Sequence, residues 1–318
     1  MMIKKQLSTM ACVLTLSLST AMTYAGELIN DTLSATPGAT VSIEHSNGKA
    51  KITGWARDEV QIKGELSNSA EKLIFKREGD DIVIQVKERK NWSGTTLKGD
   101  RLEIFVPQQS QVIYQSTNAD VSISSTIGAL KIDAVNGDVG AKNIEGDTRI
   151  TLINGDIEVK NVSGSSYFET VNGDIELENI QSNDVETRTV NGDIEVTGKV
   201  NGFTAETVNG DIELKSNELA KVDVTTVNGD VEAVIGLTDS GSIQASSVSG
   251  DIELKFPQGL SANVHVEGHY GSDIVNQLND AQVKVDKKSN TRSLSFTEGD
   301  GKGTVRISTV KGEVKISK

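Results

Sequence analysis

The sequence predicts an all-β chain built from stacked repeats, a right-handed parallel β-solenoid of about 18–19 residues per coil. Three observations lead there. The peptide Val-Asn-Gly-Asp occurs at 135–138, 171–174, 190–193, 208–211 and 227–230, with close copies at 153–156 and 248–251 and degenerate ones at 117–120 and 310–313. The Asn-to-Asn steps from Asn118 to Asn228 are 18, 18, 18, 19, 18 and 19 residues. Apolar and polar residues alternate on both sides of each copy, as in Ile157-Glu158-Val159 and Phe203-Thr204-Ala205-Glu206-Thr207, which is the period of a half-buried strand.

The unit is therefore strand, Asn-Gly turn, strand, loop. Gly suits the turn because it lacks a Cβ, and Asn because it tolerates positive φ. An antiparallel hairpin repeat, meander or propeller-like, is the alternative, and it would set Thr189 opposite Ile194. Stacking accounts for more, since it imposes one shape on the whole Val-Asn-Gly-Asp-Ile-Glu string. Its cost is a file of like charges a few ångströms apart. About 16 such coils would make a rod of about 75 Å.

In chain order, residues 1–25 read as a secretory signal peptide. Lys4 and Lys5 precede an apolar run, and Thr23-Tyr24-Ala25 ends it before Gly26. Cleavage there removes Cys12, the only cysteine, and with two lysines gone takes the formal charge from -13 to -15. An exported acidic chain without thiols excludes cysteine redox chemistry and repels nucleic acid. Residues 26–110 form a less regular β section continuous with the repeats, 111–256 hold the regular repeats, and 257–318 an irregular segment and a last repeat. Aromatic residues make up only 4%, so the core is one of small β-branched side chains.

The segments Val41-Ser42-Ile43-Glu44 and Gly54-Trp55-Ala56-Arg57-Asp58-Glu59-Val60, the strand Leu102 to Pro107 and the Val-Asn-Gly-Asp series resemble the bacterial putative-adhesin family across most of residues 38–318. The resemblance implies an exported envelope or surface protein with a repeat-built β fold. It brings no catalytic residues.

Residue chemistry points the same way. His265 and His269 have the spacing of a helical zinc pair, but in a strand they would lie about 13 Å apart. Gly299-Asp300-Gly301-Lys302-Gly303-Thr304 lacks the spacing of a phosphate loop. Acidic residues recur alike in every repeat, whereas a glycosidase or polysaccharide lyase needs one asymmetric pair. No cofactor and no enzymatic activity are expected. Two binding features remain: calcium along the columns of Asp138, Asp156, Asp174, Asp193, Asp211 and Asp230, and a basic loop from Lys87 to Lys98 in which Lys90 and Trp92 would contact a partner. The expected role is that of an adhesin or envelope interaction and structural protein, in the periplasm or on the cell surface, binding a protein or glycan component. A periplasmic stress or regulatory protein with a membrane partner and a β-helical glycan-active enzyme are the alternatives. No cap is visible at Lys318, so self-association through the solenoid ends is a further expectation.

Overall fold

The computed structural model describes residues 22–23, 28–90, 99–269 and 271–318. Apart from a two-residue strand at Met22–Thr23, the segment assigned to the signal peptide lies outside them. The described residues form strands and no helix, with one buried apolar cluster running from Ile29 to Ile316.

Each coil of the central stack supplies one strand before the Asn-Gly corner and one after it, and both pair in parallel with the coils on either side. After the corner, Val121, Val139, Ile157, Ile175, Ile194, Ile212, Val231, Ile252 and Val314 are successive partners. Before it, the succession is Leu130, Thr148, Ser166, Val185, Phe203, Val222, Ile243 and Val305. All of these point inward and are buried. Stacked like on like, the β-branched residues fill a thin interior, and Phe168 and Phe203 sit beside small Thr187 and Ala205, which keeps the layer even.

The hairpin alternative is ruled out by the amides. Thr189 N–H donates to Glu206 O at 3.0 Å and Ile194 N–H to Asp211 O at 2.9 Å, so both flanks of the turn bond to the next coil and not to each other. The corner itself is a ladder. Asn228 Nδ2 donates to Asn209 Oδ1 at 2.9 Å, Asn209 to Asn191 at 2.8 Å, and the chain of amides continues through Asn172, Asn154, Asn136 and Asn118 to Asn47. These asparagines do not adopt positive φ, contrary to the reason the sequence suggests for them; Asn143, Asn161 and Asn179, at a second bend, do. Repeating Asn at the corner serves the amide ladder. Gly192, at φ 156°, lies so close to the coil beneath that a Cβ would overlap the carbonyl oxygen of Gly173. Thr189 Oγ1 donates to that same oxygen at 3.1 Å, which explains the Thr two positions before the Asn.

The ends depart from the simple stack. The coil Thr40–Trp55 pairs on one side with Gln111–Thr126 and on the other with Asp81–Glu88 and Asp100–Pro107, although Glu59–Glu65 and Ala70–Glu78 intervene in sequence. Those intervening strands form an antiparallel outer layer, and Leu28–Ser34 adds one more antiparallel strand. At the other end the chain skips a place. Ala262–His269 and Asp273–Asn276 make an outer coil, Thr291–Glu298 turns back antiparallel against it, and Gly303–Lys311 with Glu313–Ser317 fills the place left vacant. Glu313–Ser317 therefore lies in an internal coil, and the edge of the stack at this end is formed by other strands. The three-residue Lys284–Asp286 strand covers Thr291–Ser293 of that edge, and Asp273–Asn276 pairs on one side only. Twelve parallel coils can be followed among the described residues, for a length of about 55 Å. The expected 16 coils and 75 Å were too many because both ends spend chain on antiparallel layers.

The Gly-Trp-x-Arg-Asp-x-Val segment makes the turn out of the Thr40–Trp55 coil. Trp55 stacks on Phe105 at 5.1 Å between ring centres, its Nε1 donates to Glu59 O at 2.7 Å, and Arg57 lies over the indole at 4.8 Å.

Gly192→Ala is expected to lower unfolding free energy by about 2–3 kcal/mol in urea, since the clash is with backbone that cannot move aside. Asn172→Ala breaks two rungs of an exposed ladder and should cost about 1 kcal/mol. A Gly192→Ala protein as stable as the wild type would contradict the stacking at the corner.

Candidate functional site

Outside the core, the corner presents three parallel files. The first is apolar: Val135, Ile153, Val190, Val208 and Val248 are 36–47% exposed, and Val171, Val227 and Val310 are half-buried in the same file. The second is the asparagine ladder. The third consists of the aspartates singled out in the sequence, which the stack does bring into one line.

Each of those carboxylates accepts from the amide above it. Asp156 N–H donates to Asp138 Oδ1 at 3.1 Å, Asp174 to Asp156 at 2.9 Å, Asp193 to Asp174 and Asp211 to Asp193 at 2.8 Å, and Asp230 to Asp211 and Asp251 to Asp230 at 2.7 Å. Partial positive charge on the amide hydrogens offsets the repulsion within the file. Lys49 occupies the next position in the file and binds Asp120 Oδ2 at 2.9 Å, which closes this end with a cation. Among the described residues no three His, Cys, Asp or Glu side chains are placed to hold a metal ion.

A parallel file of glutamates, Glu158, Glu176, Glu195, Glu213, Glu232 and Glu253, is offset in part by lysines. Lys160 sits between Glu158 at 2.9 Å and Glu178 at 3.0 Å, and those hydrogen bonds hold its ammonium above the usual lysine range. Lys315 bonds Glu253 at 2.6 Å and holds that carboxyl below its ordinary value, with Lys255 adding to the effect. These exposed pairs tune the surface rather than stabilise it appreciably.

Towards the N-terminal end the glutamate file gives way to Ser122 and Gly140 and then Lys51, which opens a trough of about 840 Å³. Four cations, Lys49, Lys51, Lys63 and Arg101, and four acids, Glu65, Glu103, Asp120 and Asp138, line it in balance.

Of the loop residues, Lys90 is exposed in the turn that follows the strand Asp81–Glu88, while Trp92 lies outside the described residues. His265 Nδ1 meets Ser295 Oγ at 2.9 Å and His269 Nε2 lies 3.9 Å from Glu267, so the two rings serve different neighbours. The cluster that sequence reasoning missed is buried. His45 Nδ1 lies 3.0 Å from the Tyr114 hydroxyl, His45 Nε2 lies 3.4 Å from Asp100 Oδ2, and Asp100 Oδ1 accepts the Ser67 amide at 2.5 Å. All three side chains are fully enclosed, and burial pushes the Tyr114 hydroxyl above its ordinary range. No substrate can reach this trio; it ties the 66–69 turn and the start of the Asp100–Pro107 strand to the Thr40–Trp55 coil. One signal pointed to it: His45 stands where other repeats carry Thr two positions before the Asn.

With one oxygen of each aspartate already engaged by an amide, millimolar calcium is expected to move the melting temperature by no more than about 1 °C relative to chelator. A rise of several degrees would show that the file binds the ion.

Several solved structures match the chain over most of its length. The putative adhesin of Bacteroides fragilis NCTC 9343 is 13% identical, with 91% of this chain and 97% of that one covered and a TM-score of 0.39. The putative lipid binding protein of Parabacteroides distasonis ATCC 8503 is 12% identical over 91% and 97% of the two chains, with a TM-score of 0.44. The putative cell adhesion protein of Clostridium sporogenes ATCC 15579 is 13% identical over 92% and 99%, with a TM-score of 0.21. No curated protein matches the chain. The family model for Toastrack DUF4097 matches it twice, over residues 35–203 and 204–317, and the chain belongs to that family.

Proposed function

We propose that the chain is an exported, non-catalytic interaction and structural protein of a bacterial envelope, working through its long repeat faces. The observation that carries this reading is the repetition of one chemistry on coil after coil at the Asn-Gly corner, a linear surface with no single centre. Export rests on the signal-like residues 1–25. A right-handed coil of 18–19 residues is part of the proposal and follows the hand preferred by parallel crossovers. The glycan-active alternative gains no support from the described acids, which recur in files, or from the His45 trio, which is sealed. Lys90 and Trp92 are proposed as a local contact for an anionic partner on an otherwise acidic molecule.

The test is co-sedimentation of the mature protein, residues 26–318, with washed cells, sacculi and outer-membrane vesicles of the source bacterium. Retention by at least one fraction is expected, with loss on Lys90→Ala/Trp92→Ala if the loop is the contact. Retention by none of the fractions would overturn the reading.

A further inference from the structure

The apolar file at the corner is unusual in an acidic, exposed position. Successive Val and Ile methyl groups cover one another only along the stack, and their outward faces stay open on eight neighbouring coils from Val135 to Val310. At about 4.8 Å per coil the file is about 34 Å long. Single exposed apolar residues need no explanation, but a continuous stripe of this length marks a contact surface.

What surrounds the stripe narrows its occupant. The asparagines beside it bond to one another along the ladder and ask little of a partner. Beyond them run the aspartates, each with one oxygen given to an amide, and among the described residues no ion pair reaches any of them from Asp138 to Asp251. Cations stand only at the two ends of the file, where Lys49 pairs with Asp120 and Arg292 with Asp273. A second copy of the corner would set one acid file against another, an anionic lipid surface would be repelled, and a bare polyamine would leave the methyl groups wet. A helix with an apolar stripe and cations on one flank satisfies both files. Its turns recur every 5.4 Å, roughly the 4.8 Å of the coils, so about six turns laid along the axis would present a cation near most aspartates.

We propose that the corner from Val135 to Val310 docks a basic amphipathic helix of a partner polypeptide, with its apolar stripe on the Val file and its cations over the aspartates. This deepens, and rests on, the reading of the protein as an envelope interaction element.

The probe is a fluorescent 22-residue Leu/Lys helix, titrated with the mature protein beside a scrambled peptide of the same composition and a Leu/Glu counterpart. Two triple variants accompany the wild type. Val171→Thr/Val190→Thr/Val208→Thr keeps the β-branched shape, and Asp174→Asn/Asp193→Asn/Asp211→Asn keeps an oxygen for the stacked amide. Circular dichroism and melting temperature verify that both fold. The amphipathic peptide should bind at least about tenfold tighter than the scrambled one, each variant should lose about tenfold, and 0.5 M salt should weaken binding. Equal binding of the scrambled peptide, unchanged binding by the Thr variant, or no binding at all would overturn the proposal. Co-sedimentation separates the two levels. Retention of the wild type by an envelope fraction without peptide binding removes the helix and leaves the functional reading, whereas absence of retention removes that reading whatever the peptide does.

Discussion

Close backbone approach at the Asn-Gly corner is the constraint from which the rest of this architecture follows. Once Gly192 lies against the carbonyl of Gly173, the two coils can differ in length only where the chain is loose, and the corner residues must superpose. Superposition places each Asn amide within reach of the next, each Thr hydroxyl under a glycine carbonyl, and each Asp beneath a main-chain amide. The extra residues in the 19-residue steps enter away from the corner, between Gln181 and Val185 and between Ser216 and Lys221.

Stacking like on like is benign for methyl groups and amides and costly for charges, and the molecule meets that cost in two ways. Main-chain N–H groups serve the aspartates, which leaves that file acidic toward solvent. Lysines pair with part of the glutamate file, at Glu158, Glu213, Glu232 and Glu253, which lowers its charge without cancelling it. The last member of the aspartate column, Asp273, meets Arg292 at 3.1 Å, so cations stand at both extremes of the column.

Much of this could be read in the sequence, because the repeated string encodes local geometry and its period encodes parallel stacking. The inward Ile and Val, the outward Glu and the turn glycines were all legible. The role of Asn was not, since propensity assigns it to positive φ while only a neighbouring coil reveals a ladder. Nor were the ends. Whether Asp100–Pro107 pairs with Thr40–Trp55 or with a strand closer in sequence depends on non-local contacts that leave no periodic trace. The same holds for His45, Asp100 and Tyr114, which lie 14 to 69 residues apart in the chain and meet only because three coils stack in succession.

The place taken by Gly303–Lys311 and Glu313–Ser317 sets an order of events in time. A chain made from its N-terminus has its Ile252–Lys255 and Asp273–Asn276 strands before the residues that belong between them have been added. Zipping coil onto coil can run only as far as Lys255, and the outer coil must wait or pair provisionally until the final segment arrives. Closure of the fold therefore waits on residues 303–317, and a product that lacks them keeps an open seam that proteases can recognise.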